Sequence, residues 1–264
     1  MKNNSKSEIL TIPSIEYDIV DQCNLNCKGC GHLSPINNDY FADEKSFEKD
    51  LLRIKELGIN VEKFRLLGGE PLLHPKINEF IIITRKVFEN SFIEVVTNGI
   101  LLFGMQESFW KLCKTLKINI YVSKYPINID YQKIADLSLV KDVNIGFSNT
   151  TYFFHKVLSS SKIYDSEENF NLCQSKNKCV YLRDGKLYVC AGGYLLNSVN
   201  HHFNTNIPLS EYDYLNIYTY KLEQTDIISF LNTHKQYCGW CHLPHEKGNI
   251  KWDLSKKTRD EWID

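Results

Sequence analysis

The sequence predicts an α/β protein: a parallel sheet with helices outside it, closed or partly closed as a barrel. Two observations predict this. Strand-like and helix-like segments alternate from residue 14 to about 150, the pattern of repeated β-then-α units. The loops carrying unusual residues all follow strand-like segments, where such folds place their chemistry.

The elements follow in order. Ser14–Asp21 reads as a strand. Asp43–Leu57 reads as a helix, with Phe47, Leu51, Leu52 and Ile54 at helical spacing. Glu62–Leu67 is a short strand. Pro75–Glu89 is a helix with proline at its start. Phe92–Val96 is a strand ending in Thr97-Asn98-Gly99. Glu107–Leu116 is helical, Ile118–Ser123 a strand, Tyr131–Leu137 a weak helix and Val143–Phe147 a further strand. Beyond residue 150 the pattern changes. Tyr181–Val189 carries Asp184-Gly185 between two short β-like runs, a hairpin signal. Asp226–His234 is a helix leading into Cys238, and the tail Lys247–Asp264 is polar with two tryptophans. The reading is therefore a first domain over 1–150 and a second over 151–264, with a soft boundary.

Composition narrows the function. Of 264 residues 43% are hydrophobic and 24% charged, enough apolar surface for a core. A net charge of −1 points away from nucleic acid and anionic membrane. Apolar runs such as Ile81-Ile82-Ile83 fall far short of the roughly 18 residues of a membrane span. The N-terminal MKNNSKSEIL lacks the apolar stretch of a secretory signal, so a cytoplasmic location is expected. Nine cysteines in a reducing compartment argue for metal ligation or catalysis rather than disulfides.

Cys23, Cys27 and Cys30 form a CxxxCxxC run after the first strand. Three thiolates on one loop can hold three irons of a 4Fe-4S cube and leave the fourth open. The alternative is a zinc knuckle with His32 as fourth ligand. Leu67-Gly68-Gly69-Glu70-Pro71 ends the second strand. Its glycines would let a ligand approach the backbone, and its carboxylate could take a cationic amine; by itself, GGEP reads as an ordinary turn.

Together, CxxxCxxC and GGEP on successive strands resemble the radical S-adenosylmethionine (SAM) superfamily over roughly residues 14 to 150. The resemblance implies a partial (β/α)6 TIM-like barrel in which Cys23, Cys27 and Cys30 hold a 4Fe-4S cluster. SAM would bind the open iron, with Gly68, Gly69 and Glu70 at its methionyl amine, Asn98 at ribose or carboxylate, and Ser123 and Lys124 as further contacts. Reductive cleavage of SAM would then yield a 5′-deoxyadenosyl radical, with a flavodoxin- or ferredoxin-type protein as electron donor. Many members carry an aromatic residue before the third cysteine, against the adenine. Gly29 stands there instead, leaving His32 or Leu33 for that contact.

Cys173 and Cys190 flank the hairpin, and 47 residues separate Cys190 from Cys238-Gly-Trp-Cys241. Four thiolates make a complete set for a second cluster, or for a structural zinc site. The arrangement resembles the small twitch domain related to SPASM, as in radical SAM aminocyclitol dehydrogenases. By that resemblance Cys173, Cys190, Cys238 and Cys241 hold an auxiliary 4Fe-4S cluster.

Other residues have open roles. Cys179 could replace Cys173 as a ligand, donate a hydrogen atom to a substrate radical, or simply pack. Cys113 reads as core. Lys124 is a candidate base. Arg183 either binds substrate oxygens or is a solvent-exposed turn charge. His74 caps or lines the pocket edge, His201-His202 is a metal pair or surface, and Tyr125, Tyr152 and Tyr194 are candidates to line the cavity. The expected activity is oxidation of a carbinol in a small polar substrate such as a sugar, nucleotide sugar or aminocyclitol. Redox-neutral epimerisation or dehydration and peptide modification are the alternatives; a non-catalytic zinc protein is the reading from another class.

Overall fold

The computed structural model describes residues 10–37, 39–176, 178–246 and 248–264. The N-terminal segment on which the expected lack of a secretory signal rests lies, apart from Leu10, outside the described residues. Four β-α units come first: β1 (Thr11–Val20), α1 (Glu44–Glu56), β2 (Asn60–Gly68), α2 (Ile77–Val87), β3 (Phe92–Thr97), α3 (Glu107–Thr115), β4 (Asn119–Val122) and α4 (Tyr131–Lys141), closing on β5 (Ile145–Phe147). After them come β6 (Phe153–His155), α5 (Ser166–Leu172), β7 (Val180–Arg183), β8 (Lys186–Tyr188), α6 (Ala191–Phe203), β9 (Leu215–Asn216), α7 (Gln224–Asn232) and β10 (Asn249–Lys251).

Local chemistry sets the helix ends. Asp43 caps α1 by accepting the Ser46 amide at 2.9 Å, and Gly58 at φ +70° follows its last turn. Asp130 caps α4. That helix runs four residues past the expected Leu137, to a left-handed Asp142, even though Leu139 and Val140 are largely exposed. Helix α6 begins directly after Cys190 and was not legible, because Gly192-Gly193 argues against a helix. The structure uses Gly193 for close packing: a Cβ there would stand 2.9 Å from the Tyr188 ring.

The main sheet has the order β5-β4-β3-β2-β1-β7-β8-β9. Strands β1 to β5 and β7 are mutually parallel, β8 runs antiparallel to β7, and β9 antiparallel to β8. This is the TIM-like partial barrel expected, its six parallel strands extended by β8 and β9, with one unexpected placement. The hairpin β7-β8 joins the free edge of β1, with Ile15 opposite Val180 and Glu16 opposite Tyr181. One hydrophobic core runs across residue 150.

The strands alternate. Ile15, Tyr17 and Ile19 of β1 and Phe64 and Leu66 of β2 are buried on one face. Tyr17, Phe64 and Phe80 surround Phe47 of α1, with ring centroids 4.8, 6.1 and 4.8 Å away. The intervening positions are polar and form a ladder. Arg65 donates to Glu16 at 2.8 Å and to Glu94 at 2.9 Å. Such a polar inner face is unusual for a parallel sheet, and it forms part of the wall of the site.

Candidate active site

The carboxyl ends of β1 to β4 surround a cavity of about 240 Å³ lined by Cys23, Cys27, Cys30, Gly68, Gly69, Asn98, Ser123 and Tyr125, with Glu16, His32 and Arg65. The CxxxCxxC loop leaves β1 through Asn26, at φ +51°. Burial pushes the Cys23 thiol up to about 11 and Cys27 to about 12. Thiols this buried ionise only against a compensating cation.

The GGEP glycines have a different reason than ligand approach. A Cβ on Gly68 would lie 2.1 Å from the Val20 carbonyl oxygen, and one on Gly69 would lie 2.0 Å from that of Gln22. The turn is pressed against the chain's own exit from β1 and bonded there, Gly69 N–H to Val20 at 2.7 Å and Glu70 N–H to Gln22 at 2.8 Å. Glu70 is fully buried and lies outside the cavity lining. Its carboxylate accepts from the Thr97 hydroxyl at 2.7 Å, the Asn98 amide at 2.8 Å and the Leu72 amide at 3.1 Å. Burial raises its pKa to about 7, against the pull of these donors. The expected amine-binding carboxylate is thus a buried tie between the second and third strand ends. Asn98 works similarly. Its side chain donates to Asn24 at 2.7 Å and reaches the Cys23 sulfur at 3.8 Å, while accepting the Ile100 amide.

Beyond Gly29 and Gly31 lies a second cavity, of about 410 Å³, which shares Glu16 with the first. Its walls are mainly apolar, including Phe154, Leu158, Leu195 and Leu196, and Cys179, Cys190 and Cys241 open into it. Gly29 takes φ +69° and faces Ile250 and Phe154, which fill the space an aromatic side chain would need. Cys173, Cys190, Cys238 and Cys241 together line a small adjoining cavity of about 30 Å³. Cys179 is not among the residues lining it. Asn169 of α5 holds the Cys238–Cys241 turn by donating to both cysteines' carbonyls, at 2.6 and 2.8 Å. Among the described residues no three His, Cys, Asp or Glu side chains are gathered as a single bound ion would need.

Residues 17–173 match the Radical SAM superfamily. The chain belongs to that superfamily. Membership implies a 4Fe-4S cluster and SAM. The GTP 3′,8-cyclase of Thermodesulfovibrio yellowstonii is 28% identical over 145 residues, 54% of this chain and 44% of that protein. That of Clostridium perfringens strain 13 is 37% identical over 94 residues, 34% of this chain and 28% of that protein. The match spans less than half the length of either. The crystal structure of BtrN in complex with AdoMet and 2-DOIA superposes with TM-score 0.53 at 15% identity, covering 86% of this chain and 84% of BtrN. The fold is shared.

The remaining expected residues of this radical SAM chain distribute as follows. Ser123 and Tyr125 line the first cavity. Lys124 does not; its ammonium lies over the Tyr131 ring, 5.6 Å from the centroid. Cys179 lines the second cavity together with Glu16. Arg183 is not an exposed turn charge: it is 1% exposed, and its guanidinium nitrogens meet Asp21 at 2.6 and 3.1 Å between the Tyr40 and Tyr194 rings. Asp21 holds the groups that a substrate oxygen would need, and Tyr194 packs on this pair rather than on a cavity. Tyr152 is exposed. His74 is buried and caps: it accepts the Lys76 amide at 3.1 Å and lies 3.1 Å from the Ala42 carbonyl. His201 and His202 are exposed and Cys113 is core. Sequence reasoning missed the tail. Trp262 is fully buried, and Trp252 reaches the first cysteine loop; two tryptophans in a polar tail were the only signal. Among the described residues no helix is long and apolar enough to cross a membrane.

Proposed function

We propose that this protein is a radical SAM oxidoreductase with two iron–sulfur clusters, acting on a small polar substrate such as a sugar, nucleotide sugar or aminocyclitol. The observation that carries the reading is the line of three adjoining cavities. Cys23, Cys27 and Cys30 open on the first, Cys173, Cys190, Cys238 and Cys241 on the last, and the middle cavity touches both through Glu16 and through Cys190 with Cys241. The first three cysteines hold the SAM-binding cluster and the last four the auxiliary one. When bound, SAM and the first cluster would supply hydrogen abstraction at a carbinol carbon and the auxiliary cluster an acceptor for the electron released as the carbonyl forms, the hydroxyl proton passing to the Glu16 carboxylate shared by the first two cavities.

The chain's own residues position and shield. Gly68, Gly69, Asn98 and Ser123, which line the first cavity, would hold SAM there. Glu16 and Arg65 supply a fixed polar wall for substrate hydroxyls, and the apolar walls of the middle cavity exclude water. Cys179 favours a second reading. Its thiol opens into the middle cavity beside Glu16, where it could return a hydrogen atom to a substrate radical in a redox-neutral epimerisation.

Anaerobic reconstitution of the wild type and of Cys238→Ala/Cys241→Ala tests the ligand sets. The double variant should lose one cluster's iron yet still cleave SAM with dithionite. Equal iron in both proteins sinks the auxiliary site, and a wild type that takes up no iron sinks the whole reading. Substrate candidates deuterated at the carbinol carbon should pass deuterium to 5′-deoxyadenosine.

A further inference from the structure

The C-terminal segment crosses back over the first cysteine loop as a strap. Strand β10 pairs with β6, with Ile250 opposite Phe154. The Lys28 amide then donates to the Asp253 carbonyl at 2.8 Å, and the Ser255 amide to the Asn26 carbonyl at 2.9 Å. Leu254 bridges to Cys27. The Trp262 indole N–H donates to the Cys30 carbonyl at 2.9 Å. Buried Glu261 braces the strap, accepting from the Ser255 hydroxyl at 2.5 Å and the Lys256 amide at 2.7 Å. Inside this frame the Trp252 indole N–H points at the Cys27 sulfur, with Nε1 to Sγ 3.2 Å.

An indole nitrogen is a donor only, so its partner must accept. A thiolate accepts well and a neutral thiol poorly. The contact is therefore built for the ionised, metal-bound form of Cys27, which is itself buried. By comparison, the Asn98 amide reaches Cys23 only at 3.8 Å and is engaged by Asn24 at 2.7 Å.

We infer that Trp252 sets the reduction potential of the SAM-binding cluster by hydrogen-bonding the Cys27 thiolate. This rests on the reading that Cys27 is a cluster ligand. Reduction adds negative charge to the cluster and its sulfurs. A donor fixed at a ligand sulfur stabilises the more negative state. Trp252 thus raises the potential and eases electron entry from the donor protein. It is a positioning residue: it touches a ligand, not the reacting atoms.

Trp252→Phe keeps a ring under the strap and removes only the N–H. Redox titration of the reconstituted holoprotein, followed by electron paramagnetic resonance, should show the first cluster's midpoint shifted to a more negative potential with iron content unchanged. The first cluster is identified as the signal that changes on adding SAM. An unshifted midpoint overturns the inference, as does a positive shift. If Trp252→Phe fails to take up iron, wild-type protein labelled with 15N in its indole rings decides. Pulsed resonance of the reduced first cluster must then show coupling to an indole nitrogen, and its absence overturns the inference. A wild type without iron would instead condemn the underlying cluster reading.

Discussion

Gly69→Ala probes the contact on which the first cavity depends. A Cβ at Gly69 would stand 2.0 Å from the Gln22 carbonyl oxygen, 2.4 Å from its carbon and 2.5 Å from the Asp21 carbonyl oxygen. All three are backbone atoms, so no rotamer change relieves the clash. Ordinary contact needs the GGEP turn and the β1 exit to separate by about an ångström or more. That movement breaks the Gly69–Val20 and Glu70–Gln22 hydrogen bonds of 2.7 and 2.8 Å. Two such bonds contribute about 2 kcal/mol net, and overpacking adds about 1–3 kcal/mol. The expected loss is about 3–5 kcal/mol, a large share of a domain's roughly 5–15 kcal/mol. Gln22 also precedes Cys23, the first of the proposed cluster ligands, so iron uptake should fall with stability. Urea unfolding of the metal-free protein followed by circular dichroism measures the first effect, and iron content after reconstitution the second. Gly104→Ala is the control, since a Cβ there meets nothing within 4 Å. A Gly69→Ala protein that loads full iron and unfolds within about 0.5 kcal/mol of wild type would refute the close-approach argument.

Asp21→Asn should destabilise the fold by about 3–5 kcal/mol, because it leaves the Arg183 guanidinium buried without its counter-charge. Adding Arg183→Met should recover part of that loss in urea melts, and an unchanged midpoint for Asp21→Asn alone would contradict the pairing. Glu70 has a folded-state pKa of about 7, raised from 4.5 by burial, so the native state binds its proton more tightly than the unfolded state. The stability this provides is complete below about pH 4.5 and is lost as pH rises through 7, by roughly 3 kcal/mol. Glu70→Gln should flatten that part of the profile; the same fall between pH 5 and 7.5 in both proteins would count against it. Cys179→Ala should leave iron content unchanged while Cys173→Ala lowers it, because Cys173 and not Cys179 faces the other three late cysteines. The reverse pattern would exchange their roles.

Much of the site was legible because its signals are local. CxxxCxxC, GGEP and the Asp184-Gly185 turn each lie within ten residues. Helix α5 carries Asn169 and was not read, since seven residues with one buried aromatic make a weak periodic signal. Arg183 reads as a turn charge in sequence, because its partner lies 162 residues away.

The sequence alone determined the superfamily and the order of the β-α units, because each depends on residue type at short spacing. Only the tertiary structure decided what those residues face. It placed the hairpin beside β1, turned Glu70 from an expected ligand contact and Arg183 from a substrate contact or turn charge into buried ties, and laid Trp252 against Cys27. Each outcome joins segments far apart in the chain, and burial and close packing, which no local pattern encodes, select such partners.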